Sequence, residues 1–271
     1  MGKFGKKNHV SLNILDTSVI FMGQPKIGKT TILKEVAEKV AGDDGYMFLE
    51  MYRESGANKI EGIIKEDVES WDKFEEILDD ITENKESDYP DLKMICIDTW
   101  DNAILLAEEE VKRRWNKDHV EDQVDSINAV AGGYYRGQTR AMGLLDEALF
   151  KLESVGVTPW VIMHVGTKDL DDAVTDMKFQ QLTANIPKKY FERINMDFDV
   201  IAVGYADRVI IKEKDARKST DKKAIYKGVL KKETRKIKFR DTQYAIDAGG
   251  RLRYIKEDIN FDADEFIEAI E

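Results

Sequence analysis

The stretch Gly23-Gln24-Pro25-Lys26-Ile27-Gly28-Lys29-Thr30 constrains this chain more than any other. It matches GxxxxGK[ST] in full and stands in the context that gives the pattern physical meaning. Before it, Val19-Ile20-Phe21-Met22 is a short apolar run that reads as a buried strand. After it, Lys29 to Val40 places Ile32, Leu33, Val36, Ala37 and Val40 on one side of a helix. A triphosphate needs several donors converging from one side. A loop so placed turns its backbone N–H groups inward, and the following helix offers unsatisfied first-turn N–H groups and a positive dipole end. Gly23 and Gly28 allow backbone positions that a side chain would obstruct. Lys29 is expected to reach the β- and γ-phosphates, the Thr30 hydroxyl to coordinate Mg²⁺, and Thr31 to touch the α-phosphate. The expected ligand is therefore ATP or a similar nucleoside triphosphate, with Mg²⁺. A glycine-containing turn before an ordinary helix is the competing reading, and it does not explain why motif and context coincide.

Gly42 and Gly45 break the chain after this helix, and Tyr46 to Met51 reads as a second strand. The strand–loop–helix–strand order implies an α/β fold with a mainly parallel sheet. Trp71 to Ile81 reads as helix, Leu92 to Ile97 as a strand ending at Asp98, and a long helix begins near Asn102 with Leu105, Ala107, Val111 and Trp115 on its apolar face. Residues 121 to 140 read as partly loop. Leu144, Leu145, Ala148, Leu149 and Leu152 mark an amphipathic helix stopped by Gly156, and Trp160 to Val165 a further strand. Residues 166 to 196, interrupted by Pro187, read as a mobile loop–helix region. Val200 to Val203 and Arg208 to Ile211 read as two strands. Lys236 to Arg240 and Arg251 to Tyr254, flanking Ala248-Gly249-Gly250, read as a β-hairpin, and Ala263 to Ile270 as a short acidic helix. The expected division is a core over 1–205 and a basic β-hairpin extension with a tail over 206–271.

Further candidates surround the phosphate loop. Asp98 ends the apolar run Met94-Ile95-Cys96-Ile97, where a carboxylate can support the metal, with Thr99 assisting. The alternative is an acid that caps the next helix. Hydrolysis also needs a group that orients water toward the γ-phosphorus. Glu54, near the end of the second strand in Arg53-Glu54-Ser55-Gly56, is favoured over Glu50, which can instead be a solvated strand residue. His164 ends the strand Trp160-Val161-Ile162-Met163, either as a γ-phosphate sensor or as a histidine hydrogen-bonded at a strand end. Lys168 reads as a phosphate contact or a surface lysine.

Taken in order, Gly23–Thr30, Glu54-Ser55-Gly56, Met94–Asp98-Thr99, Gly132-Gly133-Tyr134-Tyr135 and Met163-His164 resemble the phage-encoded RecA-like ATP-binding proteins, some of which act in single-strand annealing or recombination. The resemblance spans roughly residues 17 to 210. It implies a RecA-like P-loop core, a water-activating role for Glu54, a γ-phosphate-sensing role for His164, and DNA-binding loops after His164. It also implies that subunits join so that a basic side chain, Arg240 or Arg251, reaches the nucleotide of a neighbour. The chain departs from recombinases in lacking an obvious N-terminal DNA-binding domain and a polymerisation motif before the core.

Charge bears on the DNA question. The formal net charge is −11, yet residues 208 to 240 hold 14 Lys or Arg against four Asp or Glu, a local +10, which leaves −21 for the remainder. Such a segment can neutralise the phosphates of single-stranded DNA, with Tyr226 and Phe239 as stacking residues. A solvated basic hairpin, or a surface that pairs with an acidic neighbouring subunit, fits the same count. Cys96 is the one cysteine, which excludes an intrachain disulfide, and no stretch approaches the roughly 20 apolar residues of a membrane span. Without a signal-like segment, the expected location is cytoplasmic, that of the host if the protein is phage-encoded. The expected function is an ATPase acting on single-stranded DNA. A nucleotide-switched scaffold with little hydrolysis and a small-molecule kinase are the alternatives.

Overall fold

All five residues of β1 (Val19–Gly23) are buried, because both faces of the strand are covered. Ile20 and Met22 enter one apolar cluster and Val19 and Phe21 the other. This is the alternation of a strand at the centre of a sheet clad on both sides. The computed structural model describes residues 13–171, 178–214, 226–241 and 245–271.

β1 leads through the phosphate loop into α1 (Lys29–Ala41) and then β2 (Tyr46–Met51), as the sequence implies. β3 (Lys65–Val68), α2 (Trp71–Glu83), β4 (Met94–Asp98), α3 (Trp100–Asp118) and α4 (Arg136–Ser154) follow. Next come β5 (Thr158–Asp171), β6 (Lys178–Ala184), α5 (Lys188–Asp197), β7 (Val200–Lys214) and β8 (Tyr226–Lys238). β9 (Gly249–Gly250), β10 (Asp258–Asn260) and α6 (Ala263–Ile270) complete the strands and α-helices of the described residues. The strand order is β10-β8-β7-β1-β5-β4-β2-β3, with β6 on β5 and β9 on β7. From β7 to β3 the neighbours run parallel, while β8 and β10 add antiparallel at the far edge.

Residues of α2, α3, α4 and α5 cover one face, and residues of α1 and α6 cover the other. β1 lies between β5 and β7, so the chain leaves β1 at a point where successive connections diverge, the place at which an open α/β sheet forms its ligand crevice. α6 is fixed by Phe266, fully buried, whose ring meets those of Phe21, Trp160 and Phe239 at centroid distances of 5.9, 5.9 and 5.4 Å.

Several expectations change. Of the loop–helix region expected over 166–196, the helix is present as α5, capped by Pro187, but 166–171 and 178–184 are strand: β5 runs on to Asp171 and pairs antiparallel with β6, and residues 172–177 lie outside the described residues. Backbone pairing between the two strands supplies an order that side-chain periodicity does not reveal. Val200–Val203 and Arg208–Ile211 belong to one strand, β7, which carries a register shift between Val209 and Ile210. Lys236–Lys238 pairs with β7 and β10 rather than with 251–254, and Gly249–Gly250 pairs with the start of β7. α3 begins at Trp100, and its buried side includes Ala103, Ile104, Ala107 and Val111, whereas Leu105 is 51% exposed. The division placed at 205/206 falls inside β7, and the strands and helix beyond it extend the same sheet and cover its α1 face.

Candidate functional site

The phosphate loop joins β1 to α1 through a backbone that its glycines permit. Gly28 caps α1 with φ +105°, a left-handed conformation. A Cβ on Gly23 would lie 3.1 Å from the Gly204 carbonyl oxygen and 3.1 Å from Ile27 Cγ2. Gln24, Pro25 and Lys26 are exposed, Lys26 also at positive φ (65°), while Ile27 is buried against the core and Thr31 is exposed on the first helical turn.

Lys29 is buried and its ammonium lies inside its own loop, donating to the Gly23 carbonyl at 3.1 Å and the Gln24 carbonyl at 3.2 Å. Burial pushes its pKa below the usual lysine value, against the raising influence of Asp98, Asp101 and Glu54. A cation held in this way gains from any anion placed on the loop, because the anion replaces neutral carbonyls with full charge.

The Thr30 hydroxyl donates to Asp98 Oδ2 at 2.7 Å. Asp98 is 2% exposed, and burial foremost raises its pKa to about 6; Glu54 and Glu50 push the same way, and Thr30 and Lys29 oppose. The adjacent Thr99 Oγ1 is buried with no hydrogen-bond partner, so a polar atom beside the carboxylate is left for a further ligand. Among the described residues no group of three or more His, Cys, Asp or Glu is arranged to hold a metal. A hydroxyl beside one carboxylate matches magnesium, which keeps water and takes phosphate oxygens as its remaining ligands. These residues fit the metal expected there.

The structure separates the two glutamates. Glu50, 1% exposed, accepts from the Ala57 N–H at 3.0 Å and is ion-paired with Lys65 of β3. It is not the solvated strand residue that the sequence allowed. Glu54 is half-buried on the loop after β2 and faces the site: a Cβ on Gly56 would lie 3.8 Å from Glu54 Oε1 and 3.7 Å from Thr30 Oγ1.

His164 is paired in register with Gly23. Its backbone N–H donates to Asp101 Oδ2 at 3.1 Å, and its Nδ1 is 3.7 Å from the same oxygen. His164 does not end its strand as expected, since β5 runs on to Asp171 through its pairing with β6; Asp101 links it to the surroundings of Lys29. Sequence reading passed over Asp101, since an acid in the first turn of a helix is the commonest helix-start residue and carries no distinct signal. Lys168 lies beyond, exposed in the β5–β6 hairpin.

Other expected residues lie away from the loop. Ala131 to Tyr135 all have positive φ, and Tyr134 is left 90% exposed while Lys189 Nζ lies 3.5 Å from the Tyr135 ring centroid. Phe239 is fully buried in the core, which corrects its reading as a stacking residue; Tyr226 is 61% exposed. Arg240 donates to the Leu252 carbonyl, and Arg251 pairs with Asp199 at 3.2 Å, at the start of β7 and the opposite end of the sheet from the loop. Residues 215–225 of the basic segment lie outside the described residues. No helix among the described residues is long and apolar enough to cross a membrane.

The model of a family described as AAA domain matches residues 16–252, which takes in the phosphate loop, Asp98, both glutamates, His164 and the strands from β1 to β9, and stops short of β10 and α6. No curated protein matches the chain.

Proposed function

We propose that this chain, which belongs to the AAA domain family, is a Mg²⁺-dependent ATPase that binds ATP on Gly23–Thr30 and hydrolyses it slowly. The observation that carries the reading is the convergence of Lys29, Thr30, Asp98 and Glu54 on one loop, from α1, β4 and the segment after β2. Thr30 and Asp98 would hold the metal, which when bound neutralises charge on the phosphate oxygens. Lys29 exchanges its two carbonyl partners for the β- and γ-phosphates, and the N–H groups of the loop and first helical turn hold the remaining oxygens. Glu54 orients water for in-line attack on the γ-phosphorus and accepts its proton. Glu50 holds the base of that loop through Ala57 and Lys65. His164, tied to Asp101, stands beside Gly23 in the middle of β5, from which a change at the γ-phosphate is passed along the strand to its pairing with β6. Steady-state phosphate release tests the reading: turnover is expected with Mg²⁺ and its loss in EDTA. Binding without turnover would favour the nucleotide-switched scaffold.

The β7–β8 ribbon supports a second element, contact with single-stranded DNA. It exposes Tyr226 at 61%, and the described residues 208–214 and 226–240 hold ten Lys or Arg against two Glu, a local +8. Several of its cations are already paired, Arg208 with Glu233 and Lys231 with Glu213 among them, so the charge available is smaller than the count. An arginine from a neighbouring copy is a further part of the proposal. Arg251, 58% exposed at the opposite end of the sheet, would reach a site only in a head-to-tail neighbour.

A further inference from the structure

We propose that Arg235 and Phe261 form the nucleobase platform of this site, with the base stacked on the Arg235 guanidinium. The proposal rests on the phosphate-loop reading and assigns the end of the site which that reading leaves empty.

Sheet order fixes the polarity of the ligand. Asp98, Glu54 and His164 come from β4, the end of β2 and β5, all on one side of β1. They mark the end for the metal and terminal phosphate. The nucleoside must then leave the loop on the opposite side of β1, where β7 and β8 lie.

On that side Arg235, from β8, reaches the loop. Its Nη1 donates to the Ile27 carbonyl at 2.9 Å and lies 3.0 Å from where a Cβ on Gly28 would stand. Phe261 comes within 3.4 Å of the same point, and the guanidinium carbon is 5.0 Å from its ring centroid. Phe261 is itself fixed edge-on against Phe21, with centroids 6.1 Å apart, and packs against Gly204, where a Cβ would come within 2.9 Å. The guanidinium therefore has one face on a held ring, one N–H on the loop, and an exposed side toward solvent. A planar, delocalised cation in that position stacks on a heteroaromatic base, as an ammonium does not. Among the described residues Arg235 pairs with no carboxylate, whereas Arg208, Lys236 and Lys238 on the same ribbon do. A guanidinium brought to the mouth of an anion site and left without a counter-charge is suited to a ligand.

The test compares Mg·ATP with Mg·tripolyphosphate, which offers the phosphates without a base, by calorimetric titration of the full chain. Arg235→Ala is expected to weaken ATP about tenfold or more and to leave tripolyphosphate within about twofold. Arg235→Lys, which keeps a charge and a donor for the Ile27 carbonyl, is expected to bind ATP as weakly as the alanine variant. An equal loss for both ligands would show that Arg235 acts through the loop and would overturn the platform, as would unchanged ATP affinity or full rescue by lysine. Failure of the phosphate-loop reading looks different: the unsubstituted chain would then bind neither ligand.

Discussion

Thr30 and Asp98, 68 positions apart in sequence, are joined by a hydroxyl–carboxylate hydrogen bond of 2.7 Å that ties the first turn of α1 to the end of β4. If the pair holds magnesium, Thr30→Val should weaken ATP binding about tenfold or more in the presence of Mg²⁺ and change it little in EDTA. Titrations in the two buffers check this. Equal losses with and without the metal would mean that Thr30 serves the loop alone.

Asp98 gives a pH dependence with a definite sign. Its folded pKa, about 6, lies above the ordinary aspartate value of about 3.9, so the folded chain holds this proton more tightly than the unfolded one. The favourable contribution is full below about pH 4 and is lost as pH rises through 6, where the buried charge disfavours folding by about 3 kcal/mol. In metal-free urea unfolding, Asp98→Asn should be the more stable form at pH 8. Its advantage should fade between about pH 6 and 4. A difference that does not vary with pH would remove the assignment of the shift to burial.

The two glutamates should separate by assay. Glu54→Gln is expected to keep Mg·ATP affinity within about threefold and to lower turnover about a hundredfold or more. Glu50→Gln is expected to lower folding stability by about 3 kcal/mol, the low end for a broken buried pair because Asp67 still holds Lys65 at 2.5 Å. Its folded fraction should still hydrolyse ATP. The opposite pattern, with turnover lost in the Glu50 variant alone, would exchange the roles.

Contact between the β7–β8 ribbon and single-stranded DNA should weaken steeply with salt, because released counterions drive it. Filter binding from about 50 to 200 mM salt should show affinity falling by a factor of roughly ten or more. Replacing Lys231 and Lys232 together should flatten that slope. Absence of a complex at low salt, with and without ATP, would exclude the DNA role.

What was legible in the sequence was local. β1, the phosphate loop and α1 are consecutive, so one apolar run, two glycines and one helical stripe are enough to specify them. Asp98 was legible because it ends an apolar strand. The Glu50–Lys65 pair was not, since it depends on β2 lying beside β3, and no property of Glu50 itself announces a partner 15 residues on. The same holds for β5 and β6, whose order comes from a strand partner rather than from a periodic side-chain pattern, and for Phe239, whose aromatic ring fits a core as well as a stacking surface. Arg235 and Phe261 reach Gly28 from more than 200 positions away through the strand order β8-β7-β1, which only the assembled sheet supplies.

Calorimetric titration of Mg·ATP into the chain and into Lys29→Ala tests the central claim most directly. The loop that encloses the Lys29 ammonium should bind Mg·ATP in a one-to-one complex, and the alanine variant, folded to the same degree by circular dichroism, should lose about a hundredfold or more in affinity. Equal affinity in the two proteins, or no heat of binding in either, would contradict the account.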